Sequence, residues 1–304
     1  MLALISGSGD LPKVLYEALE PKPYVAALEG FPPKTIPHHR TFRLETLGSL
    51  IADLKDRGVT EVCFAGAVQR PPLDPGKLDT ATQPLVPRIM AALQQGDDAA
   101  LRVLLSFFEE AGIAVRAAHE IVPSLIPEPG VPTQKTPDAK AEADLARAME
   151  VVGAMGAADL GQACIVCNGQ VLAVEAVTGT DWMLQVIGLA RAANVGTVMA
   201  STDLRFLPGG EALAKFISST SGVPLVDAIG VPDNLRFGGL LYKAPKPGQD
   251  LRIDMPVIGP ETLRRAAAAA LDGIVVDAGS VMVVDLKATC QLADDLGLFL
   301  WFRG

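Results

Sequence analysis

Leu2-Ala3-Leu4-Ile5-Ser6-Gly7-Ser8-Gly9-Asp10-Leu11-Pro12 reads as a short buried strand that breaks at two glycines and enters a helix running to about residue 19. Outward from this stretch the alternation repeats. Tyr24 to Leu28 is a second strand, ending at Glu29-Gly30. The proline-rich stretch 31–37 is loop, because proline has no amide to give to a ladder. Leu47, Leu50, Ile51 and Leu54 carry helical spacing, and Gly58 closes that helix. Val59 to Ala65 is the next strand, and 86–95 is helical. Asp97 or Asp98 offers a cap for a further helix, and Ile113 to Ala117 returns as a strand. Strands alternating with helices predict a mostly parallel sheet covered on both faces. The expectation is an α/β protein whose Rossmann-like N-terminal domain spans residues 1–135.

A polar-faced helix over 140–155 reads as a connector spanning 136–159, and a second α/β domain with a mixed sheet occupies 160–304. Asn168-Gly169 lies between two apolar runs, 162–167 and 171–176, which is a strong hairpin signal. Helices are expected at 182–193, 209–218, 261–271 and 286–296. Strands are expected at 197–200, 240–243, 251–254, 274–276, 281–285 and 299–302.

Composition narrows the function. The chain has 304 residues, 49% of them hydrophobic, which is ample for two packed cores. Its 35 acidic against 26 basic residues give a formal charge of −9, and no basic stripe matches a nucleic-acid backbone. No apolar run approaches the length needed to span a bilayer, and nothing resembles a signal peptide. Cys164 and Cys167 lie three apart on one strand, pointing to opposite faces, so a metal site there is not expected. The histidines at 38, 39 and 119 follow no zinc spacing.

Several positions carry candidate chemistry. Gly7, Ser8, Gly9 and Asp10 lack the third glycine of a dinucleotide fingerprint and the lysine of a phosphate loop. Exposed amides at a helix start still suit an anion, against the alternative of a plain tight turn. Arg70, in Gly66 to Pro71, follows a strand at the sheet's carboxyl end and offers a planar donor fork. Gly179, Thr180 and Asp181 either cap a helix or serve a ligand, and Glu175 interrupts an apolar strand, so it is paired or a ligand. The densest constellation runs from Lys243 through Lys246 and Gln249 to Asp250, Arg252 and Asp254. If 250–254 is extended, Asp250, Arg252 and Asp254 share one face, where two carboxylates suit Mg²⁺ and the cations suit a pyrophosphate. A solvated, self-neutralising stripe is the competing reading.

Taken in order, Ile5 to Pro12, Gly66 to Pro71, Gly96-Asp97-Asp98, Glu175 to Asp181 and Lys246 to Gly259 resemble a bacterial family. That family is the UDP-2,3-diacylglucosamine pyrophosphatase of lipid A synthesis, in its cytosolic, non-calcineurin form. The resemblance covers residues 2 to about 302. It implies cleavage of an acylated nucleotide-sugar lipid into UMP and diacylglucosamine 1-phosphate, with Mg²⁺ and water, and attack at the phosphorus nearer the sugar. It also implies a cytoplasmic enzyme, peripheral at the inner membrane, with the substrate between its domains. The essential acidic residue falls within Gln249 to Pro256, where Asp250 and Asp254 both remain candidates, with Glu175 a further metal ligand. Residues 201–237 read as longer than the family pattern. A homodimer is the default for such enzymes. A dinucleotide-dependent enzyme and a non-catalytic lipid-binding protein on the same scaffold are the alternatives.

Overall fold

The computed structural model describes residues 1–68, 73–193, 235 and 237–304. Arg70, and the strand and helix expected at 197–200 and 209–218, lie outside the described residues. Two compact units are present. The first joins Met1–Pro127 with Pro247–Val257 and Gly279–Leu286; the second holds Glu128–Lys246, Ile258–Ala278 and Lys287–Gly304.

The chain begins with β1 (Leu2–Ser6), α1 (Leu11–Ala18), β2 (Tyr24–Leu28), β3 (Arg40–Phe42), α2 (Leu47–Asp56) and β4 (Glu61–Ala65). It continues with α3 (Val86–Leu93), α4 (Asp97–Glu110), β5 (Ala114–Arg116) and the single turn α5 (Ala118–Ile121). The sheet order is β3-β2-β1-β4-β5, with every pairing parallel. This is the order of a Rossmann-like doubly wound sheet. Its two faces bury different side chains of the same strand. Ala3 and Ile5 join Leu50, Leu54 and Phe108 on one side, while Leu4 joins Leu11, Leu15 and Leu125 on the other. The edge strand β3 and the turn α5 were not expected, since three and four residues are too short for a period to show. The N-cap of α4 is Gly96 rather than either aspartate.

After β5 come α6 (Ala139–Ala157), β6 (Ala163–Cys167), β7 (Gln170–Val174), α7 (Gly179–Ala193), β8 (Leu240–Lys243) and β9 (Val257–Ile258). The last elements are α8 (Pro260–Ala268), β10 (Gly273–Asp277), β11 (Met282–Val283), α9 (Leu286–Asp295) and β12 (Phe299–Arg303). The second unit's sheet runs β12-β10-β8-β6-β7, parallel through β8 and antiparallel from β6 onward. Asn168 and Gly169 both adopt positive φ (51° and 75°), the tight turn their sequence called for. Asp144 of α6 accepts both turn amides, at 3.0 and 2.6 Å, so the helix pins the hairpin. The same helix is capped by Asp138, which accepts from the Ala141 amide at 2.9 Å.

The expected strand at 251–254 is not one. Residues 251–253 form a turn, in which the amides of Ile253 and Asp254 donate to the Asp250 carbonyl at 3.2 and 3.1 Å. Gly248 at φ +76° and the Asp250 carboxylate, which accepts the Arg252 amide at 3.1 Å, bend the chain locally. Alternation of apolar residues still had a cause. Leu251 packs on the cluster around Leu4, and Ile253 on the cluster around Ile5. Those clusters lie on opposite faces of the parallel sheet, so the turn crosses the sheet's rim.

Candidate functional site

In the parallel sheet the strand order reverses between β1 and β4, and the carboxyl ends of two such strands are where α/β sheets receive ligands. Here the two following loops are stitched together. The Gly7 amide donates to Ala65 at 2.8 Å, the Ser8 amide to Ala67 at 3.0 Å, and Ala67 donates back to Ser8 at 2.8 Å. Ser8 Oγ adds a further bond to the Ala67 carbonyl at 2.9 Å. A Cβ on Gly66, at φ +99°, would sit 2.6 Å from the Ser8 oxygen, which explains glycine there. The stitching spends the Gly7 and Ser8 amides on the protein itself. Among the described residues the Gly9 and Asp10 amides meet no acceptor, and Asp10 stands at the N-cap of α1 without a side-chain bond.

Residues 247–256 carry the acidic turn. Both Asp250 oxygens face Arg252, with the Nε bonds at 2.9 and 3.2 Å and the Nη2 bond at 2.6 Å. Arg252 Nη1 reaches Glu109 of α4 at 2.7 Å. The hydrogen bonds from Arg252, against the opposing cost of partial burial, hold the Asp250 carboxyl below the usual carboxylate range. Asp250 and Glu109 in turn raise the Arg252 guanidinium above its ordinary value. Asp254 differs. One of its oxygens accepts from the Gln249 amide at 2.5 Å, and among the described residues the other meets no donor. Arg102 of α4 donates to the Gly248 carbonyl and pairs with Asp98 at 2.9 Å. Together Arg102, Gly248, Gln249, Asp250, Leu251 and Arg252 line an open depression of about 470 Å³. Arg102 and Glu109 were missed in the sequence. The spacing of Asp98 and Arg102, one helical turn apart, was the available signal.

The turn therefore separates residues that an extended strand would have aligned. Arg252 does not stand between two metal-binding carboxylates; it neutralises one of them. Among the described residues no group of three His, Cys, Asp or Glu side chains is gathered to hold a metal ion.

In the second unit the candidates fall into three places. Glu175, Thr180 and Lys243 are brought together and buried, at 8%, 8% and 7% exposure. Lys243 Nζ donates to Thr180 Oγ1 at 2.9 Å, and that hydroxyl donates to Glu175 Oε1 at 2.9 Å. Glu175 Oε2 accepts from the Gln162 amide at 3.3 Å. Helix α7 starts at Gly179, so Thr180 and Asp181 lie in its first turn rather than before it. Asp181 lies 3.5 Å from Arg265 of α8. Lys246 stands apart, paired with Asp159 at 2.6 Å.

The residues set aside earlier have structural settings. Cys164 and Cys167 are buried free thiols, and burial pushes Cys164 up to about 12. His39 accepts the Val25 amide at 3.0 Å and stacks on Tyr24.

Fold and sites together define a two-unit α/β protein that sets an acidic turn beside arginines in one unit and a buried lysine in the other. Residues 1–125 match the LpxI N-terminal domain, and residues 128–204 with 227–301 match the LpxI C-terminal domain. The chain belongs to the LpxI family. One relative, the UDP-2,3-diacylglucosamine pyrophosphatase LpxI of Caulobacter vibrioides, is 34% identical across 98% of this chain and 96% of its own length. Residues 205–226 fall between the two matched pieces of the C-terminal domain.

Proposed function

We propose that this chain hydrolyses the pyrophosphate of UDP-2,3-diacylglucosamine to UMP and 2,3-diacylglucosamine 1-phosphate, a step of lipid A biosynthesis. Near full-length similarity to a relative bearing that name supports the reaction. The observation that carries the site is Asp254, a carboxylate held by Gln249 through one oxygen only, in the loop whose residues 248–252 line an open depression together with Arg102 of α4.

Mg²⁺ takes one or two carboxylates together with substrate phosphate oxygens. Asp254 fits that requirement through its second oxygen; Asp250, with both oxygens on Arg252, does not. Bound there, the ion would polarise a phosphate oxygen and make water a better nucleophile. The protein's own groups do the rest. Gln249 fixes the rotamer of Asp254, and Arg102 and Arg252, already paired with Asp98, Asp250 and Glu109, line the depression with guanidinium groups. Water attacks the phosphorus nearer the sugar, the bridging P–O bond breaks, and UMP leaves with the electron pair. The proton that water gives up passes to solvent, because the free Asp254 oxygen is the one that would hold the ion. Among the described residues no helix is long and apolar enough to cross a membrane. The substrate's acyl chains would instead bring a cytoplasmic protein to the inner-membrane surface.

The test is incubation of the purified protein with UDP-2,3-diacylglucosamine in ¹⁸O-labelled water, with and without Mg²⁺. UMP should form only with Mg²⁺, and the label should enter the sugar 1-phosphate. Release of no UMP at any metal concentration would leave a lipid-binding protein instead. Label in UMP would place the attack on the other phosphorus. A thermal response to NAD(P) would favour a dinucleotide enzyme.

A further inference from the structure

Helix α4 turns a single stripe toward the acidic turn. Asp98, Arg102, Leu105 and Glu109 recur at helical spacing and fall within about 60° of one another around its axis. The middle of the stripe is apolar, since Leu105 is buried in the cluster on which Ile253 of the turn packs. On either side it is charged. Nearer the helix start, Arg102 donates to the Gly248 carbonyl and is steadied by Asp98 at 2.9 Å. Nearer the helix end, Glu109 accepts from Arg252 Nη1 at 2.7 Å, and the same guanidinium closes on Asp250. Gly248 stands at φ +76°, where the chain bends, so a bond to its carbonyl fixes the direction of the bend. One helix therefore grips the turn at its entry, at Ile253 and at Arg252. All of these residues belong to the first unit. Glu110, the next residue along, is engaged elsewhere, pairing with Arg88 of α3 at 2.7 Å.

We propose that Asp98, Arg102 and Glu109 are positioning residues for the hydrolysis, a brace that holds the acidic turn so that the free Asp254 oxygen stands in one place. The proposal rests on the reading of Asp254 as the metal-binding carboxylate. The amides of Ile253 and Asp254 close the turn on the Asp250 carbonyl, and the Asp250 side chain is tied to Arg252. Slack at Arg252 or at Gly248 is therefore slack at Asp254. Exposed ion pairs add little to the stability of a whole fold. A surface turn, however, opens locally at a small free energy, and there the same pairs weigh more. Groups that orient a metal-binding carboxylate change metal affinity about tenfold or more when removed.

Two measurements on the intact protein read the brace without turnover. Hydrogen exchange of the peptide spanning 248–256, followed by mass spectrometry in the absence of metal, reads the turn. Titration with Mn²⁺ as a stand-in for Mg²⁺, followed by electron paramagnetic resonance, reads the carboxylate. Glu109→Ala should quicken exchange in the turn about threefold with the unfolding midpoint unchanged. Glu109→Gln keeps an oxygen for Arg252 and should recover most of that difference, and Glu110→Ala should leave the turn as it was. In Arg102→Ala with Glu109→Ala the Kd for Mn²⁺ should rise about tenfold. The Mg²⁺ needed for half-maximal UMP release should rise with it, and saturating Mg²⁺ should recover most of the release. Because Glu109 acts through Arg252, Glu109→Ala should add nothing in an Arg252→Ala background, and a full effect there overturns the proposal. Turn exchange that Glu109→Ala and Arg102→Ala leave unchanged overturns it too, as does equal quickening by Glu110→Ala or undiminished Mn²⁺ affinity in the double variant. An unsubstituted protein that takes no Mn²⁺, while its turn still answers to Glu109→Ala in exchange, removes the metal reading of Asp254 and leaves the grip of α4 on the turn standing.

Discussion

Two charged clusters, one in each unit, solve the problem of holding opposite charges in opposite ways. On the first unit's acidic turn, Asp250, Arg252 and Glu109 pair in contact with water; the Arg252 side chain is 42% exposed. In the second unit, Glu175 and Lys243 are nearly fully buried and communicate through a hydroxyl. Surface pairs are worth little, so the turn can present carboxylates to a ligand without the fold depending on them. Buried charges are tolerated only in company, so the second cluster ties stability to its own completeness. One site can be altered to ask about chemistry; the other must be altered in balanced pairs.

That contrast can be broken by experiment. The largest effect is expected from Lys243→Met alone, which strands the Glu175 carboxylate and should cost about 3–5 kcal/mol in denaturant unfolding. Adding Glu175→Gln should restore most of it, and if the double variant is no more stable than the single, the buried pair is not a coupled unit. Next comes Asp254→Asn, which should lower UMP release by about 100-fold or more while leaving the unfolding midpoint nearly unchanged. Full activity in that variant would remove Asp254 from the site. Arg252→Ala should cost less than about 1 kcal/mol of stability, since its partners stay solvated. The smallest effect concerns pH. Asp250 is held below its ordinary value, near ~3.9 when unfolded. Its contribution is therefore complete above that value and is lost as pH falls through the lower, folded one. Arg252→Ala should remove this dependence and shift acid unfolding slightly upward in pH, and an unshifted acid limb would show the pair to be energetically silent.

Much of the scaffold could be read from residue order. The run Leu2 to Ser6, the leucine spacing of α2 and the Asn168-Gly169 turn each carry a local physical cause, and each element formed where that cause placed it. The site was less legible. Asp250, Arg252 and Asp254 alternate as a strand would, yet Gly248 and the Asp250 carboxylate bend the chain into a turn. Leu251 and Ile253 alternate because they reach two different faces of the sheet, a cause that periodicity cannot distinguish from a strand. Glu175 was visible as an anomaly in an apolar strand, but its partners at 180 and 243 could be found only in space. Arg102 and Glu109 were hidden in a helix whose polar face looked like any other.

The parallel sheet, the hairpin and the order of the family's motifs were set by sequence, because strand, turn and helix preferences act between near neighbours. Only the tertiary structure decided which carboxylate stays available. Asp250 is taken by Arg252 two residues away, and that guanidinium is held in turn by Glu109, 143 positions earlier in the chain. Asp254 is left with one oxygen uncommitted among the described residues because Gln249 is its only side-chain partner there. Such choices depend on which groups the folded chain brings within hydrogen-bond reach, and no local preference encodes that.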